Sequence, residues 1–114
     1  MEKINADIRR AHTLPAEFYR SPKWFERSKD QVFARAWHYV GESSQLPQAR
    51  YAWPFVLLPG VLDEPLLLVR DESGRIRCLS NVCTHRGNIL ISEAGPVRQL
   101  SCGYHGRCFH LDGQ

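Results

Sequence analysis

Two short runs constrain this chain more than any other part of it: Cys83-Thr84-His85-Arg86-Gly87 and Cys102-Gly103-Tyr104-His105-Gly106. Sixteen residues, Arg86 to Ser101, separate His85 of the first from Cys102 of the second. Each run offers one thiolate and one imidazole, in the orders Cys-x-His and Cys-x-x-His, and each has a glycine just after its His. Thiolates and imidazoles are metal ligands, so the fold must bring two loops to one place. Two Cys and two His suit tetrahedral zinc, which is one reading. Common zinc motifs, however, group Cys with Cys and His with His, whereas both pairs here are mixed. The other reading is a [2Fe–2S] centre in which two Cys hold one iron and two His hold the other.

Charge explains why the donor types matter. A core of two ferric ions and two sulfides carries about +2, so two thiolates bring the oxidised site to about zero and one electron takes it to about −1. Four thiolates would give about −2 and −3 instead. The mixed site accepts its electron more easily, at about −150 to +300 mV against about −400 mV for all-Cys plant-type clusters. Each ligand His also keeps a free ring N–H for an outer acceptor, which links the electron to a proton.

With Tyr104 and the glycines, these motifs resemble the Rieske domain of ring-hydroxylating, or Rieske non-haem iron, oxygenases. High-potential respiratory Rieske proteins have an extra Cys in each loop, where this chain has Asn88 and Tyr104. They have a Ser after the second His-Gly, where this chain has Arg107 and oxygenases usually have Trp. Fewer hydroxyl donors to sulfur place the centre toward the low end of the Rieske range. Arg107 departs from the family pattern and bears on local packing and the partner surface.

The resemblance implies a mainly β fold: a small antiparallel Rieske-type β-sandwich with an N-terminal helical lead-in. Its two loops would clasp a [2Fe–2S] cluster on Cys83, His85, Cys102 and His105. The Leu14–Tyr19, Phe33–Gly41 and Asp63–Arg70 segments resemble the matching stretches of oxygenase α-subunits. An α-subunit continues into a catalytic domain that holds mononuclear Fe(II) on two His and a carboxylate. His12, His38 and His110 have no Asp or Glu at a suitable spacing, so no catalytic residue is assigned here. Only nine residues follow His105. The sequence therefore reads as a C-terminally incomplete sandwich, the N-terminal part of such a subunit. The resemblance implies a reductase or ferredoxin as electron donor and a trimer-based homo-oligomer for the full-length enzyme, in which His85 or His105 would need an acceptor from another chain.

A stand-alone Rieske-type ferredoxin is the alternative, and a zinc-stapled interaction module is a weaker one. Ferredoxins lack a long helical stretch before the first ligand loop, whereas 82 residues precede Cys83 here. The substrate, an aromatic ring or a quaternary ammonium compound such as choline or carnitine, is not written in these residues.

The remaining sequence fills in the frame. The 114 residues allow one small domain with an appendage, and a mean hydropathy of −0.39 describes a soluble chain. No apolar run approaches the roughly 20 residues of a membrane span. The start lacks a signal peptide's apolar core, so the expected location is cytoplasmic. Four Cys without an export signal are not read as disulfides. Cys78 and Cys108 are expected to be small packed side chains. The net charge of +3 lies within the first 36 residues, without the basic and aromatic interleaving of a nucleic-acid surface.

Residues 1–36 are expected to be helical and residues 37–114 to form the Rieske domain. Ser21 reads as an N-cap and Pro22 as the first helical residue. Phe25, Val32, Phe33 and Ala36 are expected on one helical face. Strands are expected at 37–40, 55–58, 66–69, 75–79 and 97–100, with turns at Asp71–Gly74 and His110–Gly113. His38 is expected to pack within the first of these strands.

Overall fold

The computed structural model describes residues 4–114, which divide into two compact units at Trp37 and His38. The first contains two helices, α1 (Ala16–Arg20) and α2 (Pro22–Gln31). Ser21 stands between them in an extended conformation, and its N–H donates to the Glu17 carbonyl at 2.9 Å. Its own carbonyl accepts the N–H groups of Trp24 and Phe25, both at 3.1 Å, and so opens α2. Pro22 takes the first helical position, where a missing N–H costs nothing. Ser21 is thus the N-cap, although its side chain makes no capping bond.

Helix covers less of this unit than the sequence suggests. Residues 4–15 have no regular helix, and α2 stops at Gln31. Val32 caps α2 at φ −120°, Phe33–Arg35 form a short 3-10 turn, and Ala36 is extended. The Arg35 guanidinium closes the end by donating to the Asp30 carbonyl at 3.0 Å. The expected face of Phe25, Val32, Phe33 and Ala36 is therefore not a continuous helical stripe. The aromatic contacts are local instead, with Phe18 5.4 Å from Trp24 between ring centroids and Arg27 over the Trp24 ring.

The second unit is built on an antiparallel sheet of β1 (Tyr51–Leu57), β2 (Glu64–Arg70), β3 (Ile76–Ser80) and β4 (Gly95–Pro96), in the order β3-β2-β1-β4. A two-stranded ribbon, β5 (Leu100–Ser101) with β6 (Cys108–Phe109), accompanies it. The pairing of Ala52 with Val69 and of Leu67 with Leu79 sets one face of the sheet. Ala52, Leu67 and Val69 from that face are fully buried with Leu100 and Leu111. Leu79, Leu90, Ile91, Val97 and Phe109 pack around them. The opposite face carries Trp53 and Phe55, whose rings stack at 5.3 Å.

Several strand expectations change with pairing. Trp37–Val40 forms no strand, because among the described residues no other segment pairs with it, and Trp37 is fully exposed. β1 begins at Tyr51 and runs through Pro54, which sequence patterning treats as a break. β4 pairs only with Tyr51 and Ala52, so β1 has one open edge beyond them, the setting that tolerates proline. The expected strand at 97–100 does not form as such: the chain leaves the main sheet after Pro96, residues 97–99 are irregular, and only Leu100 enters the ribbon. Cys78 and Cys108 are both exposed, not packed. Cys78 shares its pairing row with Leu68 and Trp53, on the face of the sheet away from the core.

Asp71 organises the β2–β3 turn. Its Oδ1 accepts from the Ser73 N–H and hydroxyl and the Arg75 N–H, and its Oδ2 accepts from Arg77 Nε at 2.8 Å. Arg70 ties the preceding segment to the sheet by donating to the Leu46, Ser43 and Gly74 carbonyls. Among the described residues no helix is long and apolar enough to cross a membrane.

Two predictions follow from this packing. Leu67→Ala leaves a void in a fully buried site and should lower unfolding free energy by about 2–5 kcal/mol in denaturant titrations. The Ser73 hydroxyl first, then Arg77, holds the Asp71 carboxyl below its ordinary value of 3.8. A depressed folded-state pKa stabilises the fold above that ordinary value and loses the contribution as pH falls below it. Melting temperatures at pH 7 and pH 3 should therefore converge in Asp71→Asn relative to the unaltered chain; an equal gap in both would refute this role.

Candidate metal centre

The two motif loops share one backbone design. After β3, Cys83 enters a turn whose Gly87 N–H donates back to the Cys83 carbonyl at 3.0 Å, while the Cys83 N–H donates to the Asn88 carbonyl at 2.8 Å. Between β5 and β6, the Gly106 N–H donates to the Cys102 carbonyl at 2.9 Å, and the Cys102 N–H donates to the Arg107 carbonyl at 2.8 Å. Gly87 and Gly106 both have φ of 71°, the left-handed conformation that such a return demands and a side chain disfavours. The glycine thus stands four residues after each Cys, which is why one His is followed by Arg86 and the other by Gly106 directly.

These closures sort the side chains by depth. Cys83 and Cys102 are buried, at 2% and 4% exposure, whereas His85 and His105 are exposed. The two imidazole rings stand 5.0 Å apart between centroids, at 65° to one another. Tyr104 lies against His105 at 3.9 Å between centroids. The Cys102 thiol is pulled below its ordinary value by the Tyr104 backbone N–H first, with further donation from the His105 N–H, the Cys83 side chain and the Asn88 amide. Thiol therefore meets thiol at the base of the site, and imidazole meets imidazole at its tip.

This arrangement fits a binuclear cluster better than a single ion. One tetrahedral zinc needs all four donors to converge on one point. Among the described residues no group of three or more His, Cys, Asp or Glu does so. A [2Fe–2S] centre instead needs its thiolates on one iron and its imidazoles on the other, which is the separation seen here. N–H groups aimed at a sulfur also favour the thiolate that a cluster requires.

The four residues singled out by sequence meet as two pairs, thiol against thiol and imidazole beside imidazole. Cys78 and Cys108 remain outside the group. Cys108 lies beside the second loop, where its thiol donates to the Gly106 carbonyl at 3.2 Å and Gln99 Nε2 donates to its sulfur at 3.2 Å. The Arg107 guanidinium stacks over Phe109 at 5.4 Å. Sequence reasoning missed two supports. Asn81 is buried and ties the first loop to the following segment, with its amide donating to the Ile91 carbonyl and its Oδ1 accepting the Ile91 N–H. Asn88 Nδ2 lies 3.7 Å from Cys102 Sγ. Both are short polar residues that, read in sequence, resemble ordinary turn formers.

Comparison with known proteins gives the same picture. The Rieske [2Fe-2S] domain profile matches residues 36–114. The carnitine monooxygenase oxygenase subunit of Escherichia coli (strain K12) is 36% identical over 113 residues, 98% of this chain and 29% of that protein. The quaternary ammonium Rieske monooxygenase CntA, solved with L-carnitine, superimposes with a TM-score of 0.79 at 35% identity, over 90% of this chain and 28% of that one. Naphthalene 1,2-dioxygenase solved with indole gives 0.69 at 32% identity, over 79% of this chain and 20% of that one. The chain thus spans under a third of the length of each relative. Those relatives are oxidoreductases. By the profile match over residues 36–114, this chain belongs to the Rieske [2Fe-2S] domain family.

Proposed function

We propose that Cys83 and Cys102 ligate one iron of a [2Fe–2S] cluster and His85 and His105 the other. In this reading the domain relays NAD(P)H-derived electrons within a Rieske oxygenase. The observation that carries it is the sorting of two buried thiols from two exposed, neighbouring imidazoles. The cluster supplies one-electron storage. The protein's own part is to keep the thiolate end away from water and the imidazole end at the surface. A free ring N–H on His85 or His105 is there available to an acceptor on another chain, and a proton held on it offsets the added electron.

The rest of the enzyme is proposed to hold the mononuclear Fe(II), on two His and a carboxylate, with an open position for O₂. A reductase or ferredoxin would deliver the electrons, and a trimer-based oligomer would bring the domain to that iron. The likeness to the carnitine enzyme includes the helical residues before the domain, which supports an oxygenase subunit over a stand-alone carrier. It also favours a quaternary ammonium substrate over an aromatic ring, since the carnitine-binding relative matches more of this chain and more closely than the naphthalene enzyme.

Two experiments test this reading. Bound iron, acid-labile sulfide and the reduced-state EPR signal are measured in single variants. Cys83→Ser, Cys102→Ser, His85→Ala and His105→Ala should lose the cluster, while Cys78→Ala and Cys108→Ala should keep full iron. The reverse pattern would sink the ligand assignment. The full-length protein is then supplied with a reductase and NADH. Carnitine, choline or glycine betaine should drive O₂ uptake and naphthalene should not; uptake with naphthalene alone would move the substrate class to aromatic rings.

A further inference from the structure

Asn88 occupies a position that the equivalence of the two loops makes informative. Five residues after each Cys stands a residue whose carbonyl accepts that Cys N–H: Asn88 in the first loop and Arg107 in the second. Their backbones perform the same task at the same 2.8 Å. Their side chains do not. Arg107 turns away to cover Phe109. Asn88 reaches across to the other loop, with Nδ2 3.7 Å from Cys102 Sγ and 2.8 Å from the Ile89 carbonyl. Both neighbours are acceptors, so the amide nitrogen, with two hydrogens, faces them and the amide oxygen does not. The Ile89 bond holds the amide in place.

Resting on the ligand assignment proposed above, we propose that Asn88 is a tuning residue of the iron–sulfur centre. It donates from the first loop to the thiolate of the second and raises the reduction potential. Adding an electron increases the negative charge on the cluster and its thiolates. A donor fixed at sulfur stabilises that charge more in the reduced state than in the oxidised one. Cys102 also receives the backbone N–H groups of Tyr104 and His105, but those belong to its own turn. The Cys83 side chain also reaches Cys102, but as a ligand thiolate it would have no proton to donate, which leaves Asn88 as the side-chain donor from the first loop. It therefore offsets part of the lowering implied by Arg107 in place of a hydroxyl-bearing residue. Because the donor is a side chain, substitution removes it and leaves the carbonyl that accepts the Cys83 N–H in place.

The test uses the full-length protein carrying its cluster. Midpoint potentials are measured by EPR-monitored titration, and Fe–S stretching frequencies by resonance Raman. In Asn88→Ala the potential should shift negative, and the stretches that involve cysteine sulfur should rise as a bond to sulfur is lost. Asn88→Asp keeps the size, loses the donor and adds charge, so its shift should be larger in the same direction. Asn88→Ser, which retains a short donor, should fall between Asn88→Ala and the unaltered protein. If Asn88→Ala fails to load its cluster, the ordering of the Asp and Ser variants decides the matter. Equal potentials and unshifted Fe–S bands in fully loaded variants overturn the inference and leave the ligand assignment standing. Retention of the cluster in Cys102→Ser overturns the assignment and the inference together.

Discussion

Everything at this site depends on a pair of backbone closures. In each loop a Cys N–H reaches forward five residues to a carbonyl, and a glycine N–H four residues on reaches back to the Cys carbonyl. These bonds satisfy buried backbone groups that would otherwise be costly, and they fix the direction of each cysteine side chain. They allow little freedom in the intervening residues. Glycine at the fifth residue of the loop, counting the Cys as the first, is the condition for the turn, because the chain there passes through φ of 71°. The same closure accepts a His at the third residue of one loop and at the fourth residue of the other. That offset lets two imidazoles stand at an angle to one another instead of meeting ring on ring.

The sheet explains why two such loops meet. β3 ends where the first loop begins, and the β5–β6 ribbon is closed at one end by the second. Leu100 at the start of β5 and Leu111 after β6 are buried with Leu67 and Val69 of β2. The core therefore fastens the ribbon to the sheet on both sides of the second loop. Asn81 fastens the first loop to Ile91 in a comparable way. A ligand site on loops can be rigid when its ends are held by a packed core and its interior by its own hydrogen bonds.

Depth then sets the chemistry. The thiols are buried beneath the loop backbones, and the N–H donors around Cys102 favour its charged form. The imidazoles lie outside, with His105 beside Tyr104. An electron-transfer module gains from this polarity. Its charged sulfur end is shielded from water, and its neutral donor end lies where a partner can approach. Asn88 and Arg107 show how one backbone position can carry two different side-chain roles without disturbing the loop that contains it.

The sequence by itself determined the candidate donors, the glycines beside them and the turn at Asp71–Gly74, and the family resemblance those residues carry implied the mainly antiparallel architecture. The first are local matters of residue type and short spacing: a Cys beside a His, a glycine just beyond it, an apolar run in Leu66–Val69. It also marked Ser21 and Pro22 as the start of α2. The tertiary structure alone decided what depends on distant partners. Trp37–Val40 pairs with no other described strand, and of residues 97–100 only Leu100 finds a strand partner, Phe109. Cys78 and Cys108 alternate like buried residues yet face outward, because side-chain period shows which residues share a face and not which face is covered. Asn88 reads as a turn residue until thirteen residues of intervening chain return Cys102 to its side, and only that return turns its amide into a donor to sulfur.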